Sequence, residues 1–376
     1  MYFLNGDRIY IKPETGCASI ENQLLSCIQQ LHQINSGKRI FKLNFFADTP
    51  SEKAYNNLRV KLEKMVSEKF ETPVICALIA QPPLTCRILV EAFYFDPELW
   101  NQEFIGSEHG SAMLFRRESA KVLIGNAQSD SSSGCRENYC KVFNSFENLL
   151  SRAGLTFRSV VRQWNYIENI TGFDGEKQRY QEFNNVRAGF YADHFQQTGF
   201  PAATGIGMNR GGIILEFVAV DAPLAVSLPL NNPEQTAAHG YSEKVLVGKQ
   251  AEMKATPKFE RARYLEMFGK KQVFISGTAS IRGEKTVGID NPAKQTEITI
   301  QNMQKLYSQK VLSALPGHSH QPKYGHARVY VKNRKDFAAI KKTFKSYYGN
   351  LPVVYIIADI CRENLLVEIE GKVILR

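Results

Sequence analysis

The chain has 376 residues, is 43% hydrophobic and 11% aromatic, and carries a formal net charge of +10. That is enough apolar matter for two or three packed units and too much for a disordered chain. No stretch approaches ~20 uninterrupted apolar residues, so no transmembrane helix is expected.

In chain order, the opening "MYFLNGDRIYIK" has charges at Asp7, Arg8 and Lys12 and no long apolar run, which argues against a secretory leader. Residues 1–110 read as a degenerate α/β segment, helical over 51–70 with a strand at 73–80. From there the chain repeats itself. "VLIGNAQS" at 122–129 resembles "VFISGTAS" at 273–280, each a β run closing on small polar residues. Amphipathic helices follow at 142–154 and 298–309, then strands at 160–167 and 326–332. Helices at 180–195 and 336–348 come next, then proline-led strands at 200–207 and 351–359. Each copy closes on a strand with a glutamate among apolar neighbours, at 213–220 and 365–373, which pairs Glu216 with Glu368.

The expected fold class is therefore α+β. Two tandem β-α-β-α-β-β units, 111–221 and 272–376, are fused as a pseudo-oligomer behind the N-terminal segment. "SDSSSG" at 129–134 reads as a surface loop. Residues 222–271, proline-rich at their start, read as a connector.

The seven cysteines form no C-x-x-C and no dense framework, so a reducing compartment, the cytoplasm, is expected. The basic residues are scattered. The densest run, "KKTFKSYY" at 341–348, reads as a solvated helix face, and no nucleic-acid motif accompanies it. No nucleic-acid or membrane partner is expected, whereas a positive field suits a small multi-anion ligand. His318, His320 and His326 share a loop with no acidic or cysteine partner, so no metal is expected.

The last strand poses the chemical question. In "ADICRENLLVEIEG", 358–371, period two puts Glu368 and Glu370 on one face and Val367 and Ile369 on the other. Cys361 and Arg362 precede them. A carboxyl placed in poorly solvated surroundings keeps its proton to higher pH, which suits general-acid work. Glu370 reads as structural, Trp164 as core, and Arg362 as a charge that lowers the Cys361 thiol.

The repeat unit resembles the RidA-like fold, on "NLLSRAGLTFRSVVRQWNYI", the G-T-A-S turn and the terminal V-E-I-E strand. The two-copy chain is similar to the chorismatases, on "RQWNYI" (162–167), "RYQEFNNVRAGFY" (179–191), "PAATGIG" (201–207), "FISGTASI" (274–281) and "ADICRENLLVEIEG". The resemblance implies a hydrolase of chorismate, a dianion whose enol ether joins a pyruvyl group to a cyclohexadiene ring. It implies Glu368 as the acid that protonates the enol methylene, and no cofactor. It also implies the branch forming a hydroxybenzoate, with 3-hydroxybenzoate favoured, because that branch carries Cys361 and Gly277 at these places. Arg187, Arg162 and Arg362 are expected to hold the carboxylates, with Tyr180 and Tyr191 as hydroxyl donors. Ser276, Gly277 and Thr278 are expected to offer backbone N–H groups and a hydroxyl. The chain departs from the family in having no histidine in "RGEKTVGIDNPAKQT", 282–296.

Two other readings compete. A RidA-type imine or enamine deaminase would carry an arginine after the proline of the fifth element, where this chain has "PAAT" and "PVVY". A non-catalytic ligand-binding homologue would keep the fold without turnover. A monomer with a pseudo-oligomeric interior and a homo-oligomer are both compatible with the repeat.

Overall fold

The computed structural model describes residues 8–33, 37–248, 254–316 and 321–376. The first unit runs β1 (Arg8–Ile11), α1 (Ile20–Gln33), β2 (Arg39–Ala47), α2 (Glu52–Lys69), β3 (Ile75–Ile79) and β4 (Ile88–Phe95). The second begins with β5 (Asn101–Ser107), β6 (Gly110–Arg117), β7 (Ala120–Ser129) and α3 (Cys135–Arg152). It continues through β8 (Val160–Glu168) and a ribbon of β9 (Phe173–Asp174) and β10 (Lys177–Gln178). It closes with α4 (Arg179–Tyr191), β11 (Ala202–Met208) and β12 (Ile213–Asp221).

The third unit opens with β13 (Val226–Leu230), β14 (Ala262–Met267) and β15 (Lys270–Ala279). A ribbon of β16 (Ile281–Arg282) and β17 (Lys285–Thr286) leads into α5 (Pro292–Leu306) and α6 (Gln309–Leu312). The chain ends with β18 (Pro322–Val331), α7 (Phe337–Tyr348), β19 (Val353–Ile357) and β20 (Val367–Leu375). Local signals set several of these limits. Ser51 caps α2 by accepting from the Ala54 N–H, and Asn291 caps α5 ahead of Pro292.

The main sheets have the orders β1-β4-β2-β3, β11-β8-β12-β7-β6-β5 and β13-β14-β15-β20-β18-β19. Without the two outer strands of each larger sheet, all three share one sequence of neighbours: first strand, last, second, third. The second and third strands are parallel in every unit. The two expected units are present, and the segment read as a degenerate piece beside them is a third copy lacking the two outer strands. The chain is a pseudo-trimer. Its 222–271 stretch is more than a connector, because β13 and β14 hydrogen-bond into the third sheet. Likewise β5, inside the segment drawn as 1–110, pairs with β6 of the second sheet.

Alternation along the strands decides which face meets what. Val367 and Ile369 pack with Ile300, Ile340 and Phe344 in the core beneath α5 and α7. Helices α3 and α4 cover the second sheet in the same manner, and α1 and α2 the first. The opposite faces of the three sheets turn inward and share one central core, with Phe46, Trp164 and Tyr330 among its members.

Strand register shows which glutamates correspond. Glu91 faces Asn44, Glu216 faces Trp164, and Glu370 faces Arg328, each glutamate being the fourth residue of its strand. Glu216 therefore matches Glu370, not Glu368 as the apolar context suggested. The Glu368 position is Leu89 in the first unit and Ile214 in the second.

The three equivalent carboxylates form a buried network. Lys42 Nζ lies 2.9 Å from Glu216, Arg8 lies 2.8 Å from Glu91, and Arg328 bridges Glu91 and Glu370. Asn44 donates to Glu216 at 3.1 Å and joins the first unit to the second. Removing one partner of such a set strands a buried charge, at a cost of about 3–5 kcal/mol, so the network specifies how the units dock.

Candidate active site

A cavity of about 420 Å³ lies between the second and third units. The second unit supplies Tyr180 and Asn184 of α4 and Gly205 of β11. The third supplies Gly277 of β15, Glu368 of β20 and the turn carrying Cys361 and Arg362. The chain ahead of β14 closes the remaining side with Tyr241, Phe259 and Arg261.

Register irregularity positions the centre. Pairing of β15 with β20 slips between Ile275 and Thr278, which bulges Gly277 toward Glu368. A Cβ at 277 would lie 2.0 Å from Glu368 Oε1 and 3.1 Å from Thr204 Cγ2. Only glycine leaves the carboxyl where it is. At Gly205 a Cβ would lie 3.0 Å from Tyr180 Cε2, so that ring rests directly on β11.

Glu368 is 4% exposed, and among the described residues nothing hydrogen-bonds to its carboxyl. Burial pushes its pKa up, the Glu370 charge adds to this, and Arg162 and Arg261 pull it back, leaving it at about 8. Burial raises Glu370 too. There the Arg162 and Arg328 guanidiniums and the Thr204 hydroxyl outweigh it and hold the group below the usual carboxylate value. Two carboxyls one strand repeat apart thus differ in protonation at neutral pH. The one facing the cavity keeps its proton.

Cys361 lines the same cavity, but its thiol does not behave as the neighbouring arginine suggested. Burial pushes it up to about 12, Glu368 adds to the rise, and Arg362 and Arg261 oppose it without prevailing. It stays a neutral thiol at ordinary pH and is not poised for nucleophilic attack. The Arg362 guanidinium donates to the Glu284 carbonyl at 2.7 Å and faces the Tyr241 ring. Burial raises the Tyr180 phenol, with Cys361 and Glu368 among the causes and Arg187 opposing.

Other expected ligand residues sit elsewhere. Arg162 is bound to Glu370 and reaches Thr204 Oγ1 at 2.7 Å, so a carboxylate of the fold already occupies its fork. Tyr191 packs among aromatic rings and donates to Gln163. Ser276 and Thr278 are consumed by the backbone: the Ser276 hydroxyl donates to the Glu260 carbonyl and Thr278 to the Ser276 carbonyl. The Gly277 N–H donates to Thr204 Oγ1 at 3.0 Å. No oxyanion cradle is left there. Trp164 is core and donates to Glu370 at 2.6 Å, so Glu370 is structural as read. His326 is buried on β18, whereas His318 and His320 lie outside the described residues.

Arg187 lies one layer behind the wall. It is 2% exposed, donates to Asn184 Oδ1 at 2.7 Å, and its Nε has no partner among the described residues. Burial holds it below the usual guanidinium value, with Tyr180 and Tyr191 opposing. Its charge reaches the cavity through Asn184 rather than as a direct fork.

Arg261 was missed because it falls in the stretch read as connector. It is 4% exposed, donates to the Thr236 carbonyl and the Tyr241 hydroxyl, and keeps Nε unpartnered. Arg187 and Arg261 are buried cations with no carboxylate partner among the described residues. That is costly in an empty fold and favourable around an anion. The alternation in "FERARYLEM", 259–267, was the available signal: it marks a strand, β14, with Arg263 inside it and Arg261 just ahead of it.

Residues 98–219 match a family model described as chorismatase FkbO/Hyg5-like, N-terminal. A chorismatase of Streptomyces rapamycinicus is 30% identical over 289 residues, covering 73% of this chain and 81% of that protein. A 3-hydroxybenzoate synthase of Streptomyces hygroscopicus is 33% identical over 231 residues, covering 58% of this chain. The chain spans 64% of that relative's length. A chorismatase crystal structure shares the fold, with a TM-score of 0.71 at 22% identity over 98% of both chains.

Proposed function

The chain belongs to the chorismatase family, and we propose that it cleaves the enol ether of chorismate to pyruvate and a hydroxybenzoate, 3-hydroxybenzoate being favoured. The observation that carries this reading is the buried Glu368 carboxyl, its pKa raised by burial, in a cavity backed by two buried arginines without carboxylate partners among the described residues. Glu368 delivers its proton to the enol methylene carbon, and the resulting oxocarbenium ion is trapped by water. Collapse of that hemiketal breaks the bond between the pyruvyl carbon and the ether oxygen, which stays on the ring with a proton, and so releases pyruvate and a diene diol. Arg261, with the field of Arg187 behind Asn184, balances the dianion, and Arg362 and Tyr180 supply further donors.

In the second stage the diol loses water. The Cys361 thiol protonates the departing hydroxyl, the ring gives up a proton, and the sulfur recovers one. The water consumed in the first stage is returned in the second, so the overall conversion is balanced. No cofactor is required. The seven unpaired thiols support a cytoplasmic location. None of the described helices is long and apolar enough to cross a membrane.

The test mixes the purified chain with chorismate, follows pyruvate, and identifies the ring product by chromatography. Pyruvate with a hydroxybenzoate is the expected result. Pyruvate with the diene diol removes the aromatising step, and no pyruvate above the spontaneous background removes the reading altogether.

A further inference from the structure

Thr204 of β11 is fully buried where the second unit meets the third, and it stands behind the cavity wall formed by its neighbours Ala203 and Gly205. Three groups converge on its hydroxyl. Arg162 donates to it at 2.7 Å, the Gly277 N–H donates to it at 3.0 Å, and it donates to Glu370 Oε2 at 2.7 Å. A hydroxyl has one proton and two lone pairs. The guanidinium and the amide can only donate, so they take both lone pairs and the proton goes to Glu370. A reciprocal bond runs beside it, in which the Ala203 N–H donates to the Ser276 hydroxyl at 2.9 Å. Consecutive residues of β11 thus grip consecutive residues of the β15 bulge that gives the Glu368 carboxyl its room.

Internal symmetry adds an independent observation. Strand register puts Ala77 at the Thr204 position of the first unit and Val354 at that of the third. Both are buried, at 1% exposure. The fold packs this position without a hydroxyl in two units and has one only at the boundary that holds the acid.

We propose that Thr204 is a positioning residue for the cleavage proposed above, and the inference rests on that reading. Its hydroxyl pins the Gly277 bulge and aims the Glu370 carboxylate, and through these two it sets the place and surroundings of Glu368. Thr204→Val keeps the shape and loses the hydroxyl. Its kcat should fall by about 10–100-fold with KM little changed.

The same variant frees the Gly277 N–H beside the Glu368 carboxyl and loosens the hold on the Glu370 charge. Both changes favour the Glu368 anion, so its titration should move below about 8. Cys361, Tyr180, Arg261 and Tyr330 also face Glu368, and none of them bonds to Thr204, so the shift reads this junction. The pH–rate profile measures it in turnover. Urea midpoints of Thr204→Val with and without Glu368→Gln, followed from acid to alkaline pH, measure it without turnover. Thr204→Ser should restore both kcat and titration, and Thr204→Ala serves the same comparison should the valine variant not fold. Parental kcat in Thr204→Val, a loss confined to KM, an unmoved titration, or a Thr204→Ser as impaired as Thr204→Val would each overturn the proposal. If the parent chain releases no pyruvate, the proposed cleavage falls and the urea titration alone decides the role of Thr204.

Discussion

Replacing Glu368 with glutamine should remove activity and, at alkaline pH, make the protein more stable. The folded carboxyl titrates at about 8 against an ordinary value of 4.5. Its folded-state value is raised, so between these two pH values the folded chain holds a proton that the unfolded chain has released. Stability therefore falls as pH rises through this window. Each pH unit costs the folded state ~1.4 kcal/mol relative to a neutral carboxamide. The penalty is absent below pH 4.5, is about 3 kcal/mol at pH 7, and levels at about 5 kcal/mol above pH 8. Urea midpoints of the parent chain and Glu368→Gln, measured from pH 4.5 to 9, should coincide at the acid end and diverge in favour of the variant. Pyruvate release at pH 7 should drop by about 10²–10⁴-fold, the usual worth of a general acid. A stability difference that does not change with pH would refute the raised value. Retained turnover would remove Glu368 from the role of acid.

The remaining predictions concern the same cavity. Pyruvate release should fall about tenfold per pH unit above pH 8, as the acid loses its proton; a rate that climbs through pH 8 in buffered assays would point to a base instead. Cys361→Ala should still release pyruvate but shift the ring product toward the diene diol, and an unchanged chromatographic ratio would sink that assignment. Gly277→Ala must push the Glu368 carboxyl away from a Cβ 2.0 Å distant. Its kcat should fall by about 10–100-fold, with little change in melting temperature. Parental kcat in that variant would mean the carboxyl moves without consequence. Arg261→Met should raise KM by about 10–100-fold, the worth of a charged hydrogen bond. Because Arg261 also pulls Glu368 down, the variant's pH–rate midpoint should move upward; a downward move would contradict the electrostatic assignment.

What the sequence disclosed follows the physics of each signal. Helices and strands of the two obvious copies were legible because their periods are strong and their order repeats, and Glu368 stood out as a carboxyl among branched residues. The third copy was harder, because it lacks the outer strands and shares little beyond "YNNLR" at 55–59 against "FNNVR" at 183–187. Ligand arginines were the weakest inference. Whether a guanidinium meets substrate or a protein carboxylate depends on partners distant in sequence, such as Glu370 for Arg162, 208 residues away. Arg261 was lost for a related reason: prolines at 223–233 suggested a linker, while the strand that follows is buried. The thiol of Cys361 was misjudged because a neighbouring charge is visible in sequence and burial is not.

The pseudo-threefold arrangement also explains why a fused chain suits this chemistry. In a symmetric trimer a carboxyl at the Glu368 position would appear three times, and each buried proton-holding group would carry its own stability penalty of several kcal/mol at neutral pH. Here the equivalent positions are Leu89 and Ile214, both buried and apolar. The position matching Gly277 is Asn126, whose side chain donates to the Cys76 carbonyl across the boundary of the first and second units. One boundary is thus opened into a cavity with an acid in it, while another is spent on cohesion. Introducing glutamate at Ile214 should destabilise the fold with rising pH as Glu368 does, but without adding turnover, since Asn126 fills the space that Gly277 leaves open. A second active centre in Ile214→Glu, detected as doubled pyruvate release per chain, would show that the asymmetry is not what confines catalysis to one boundary.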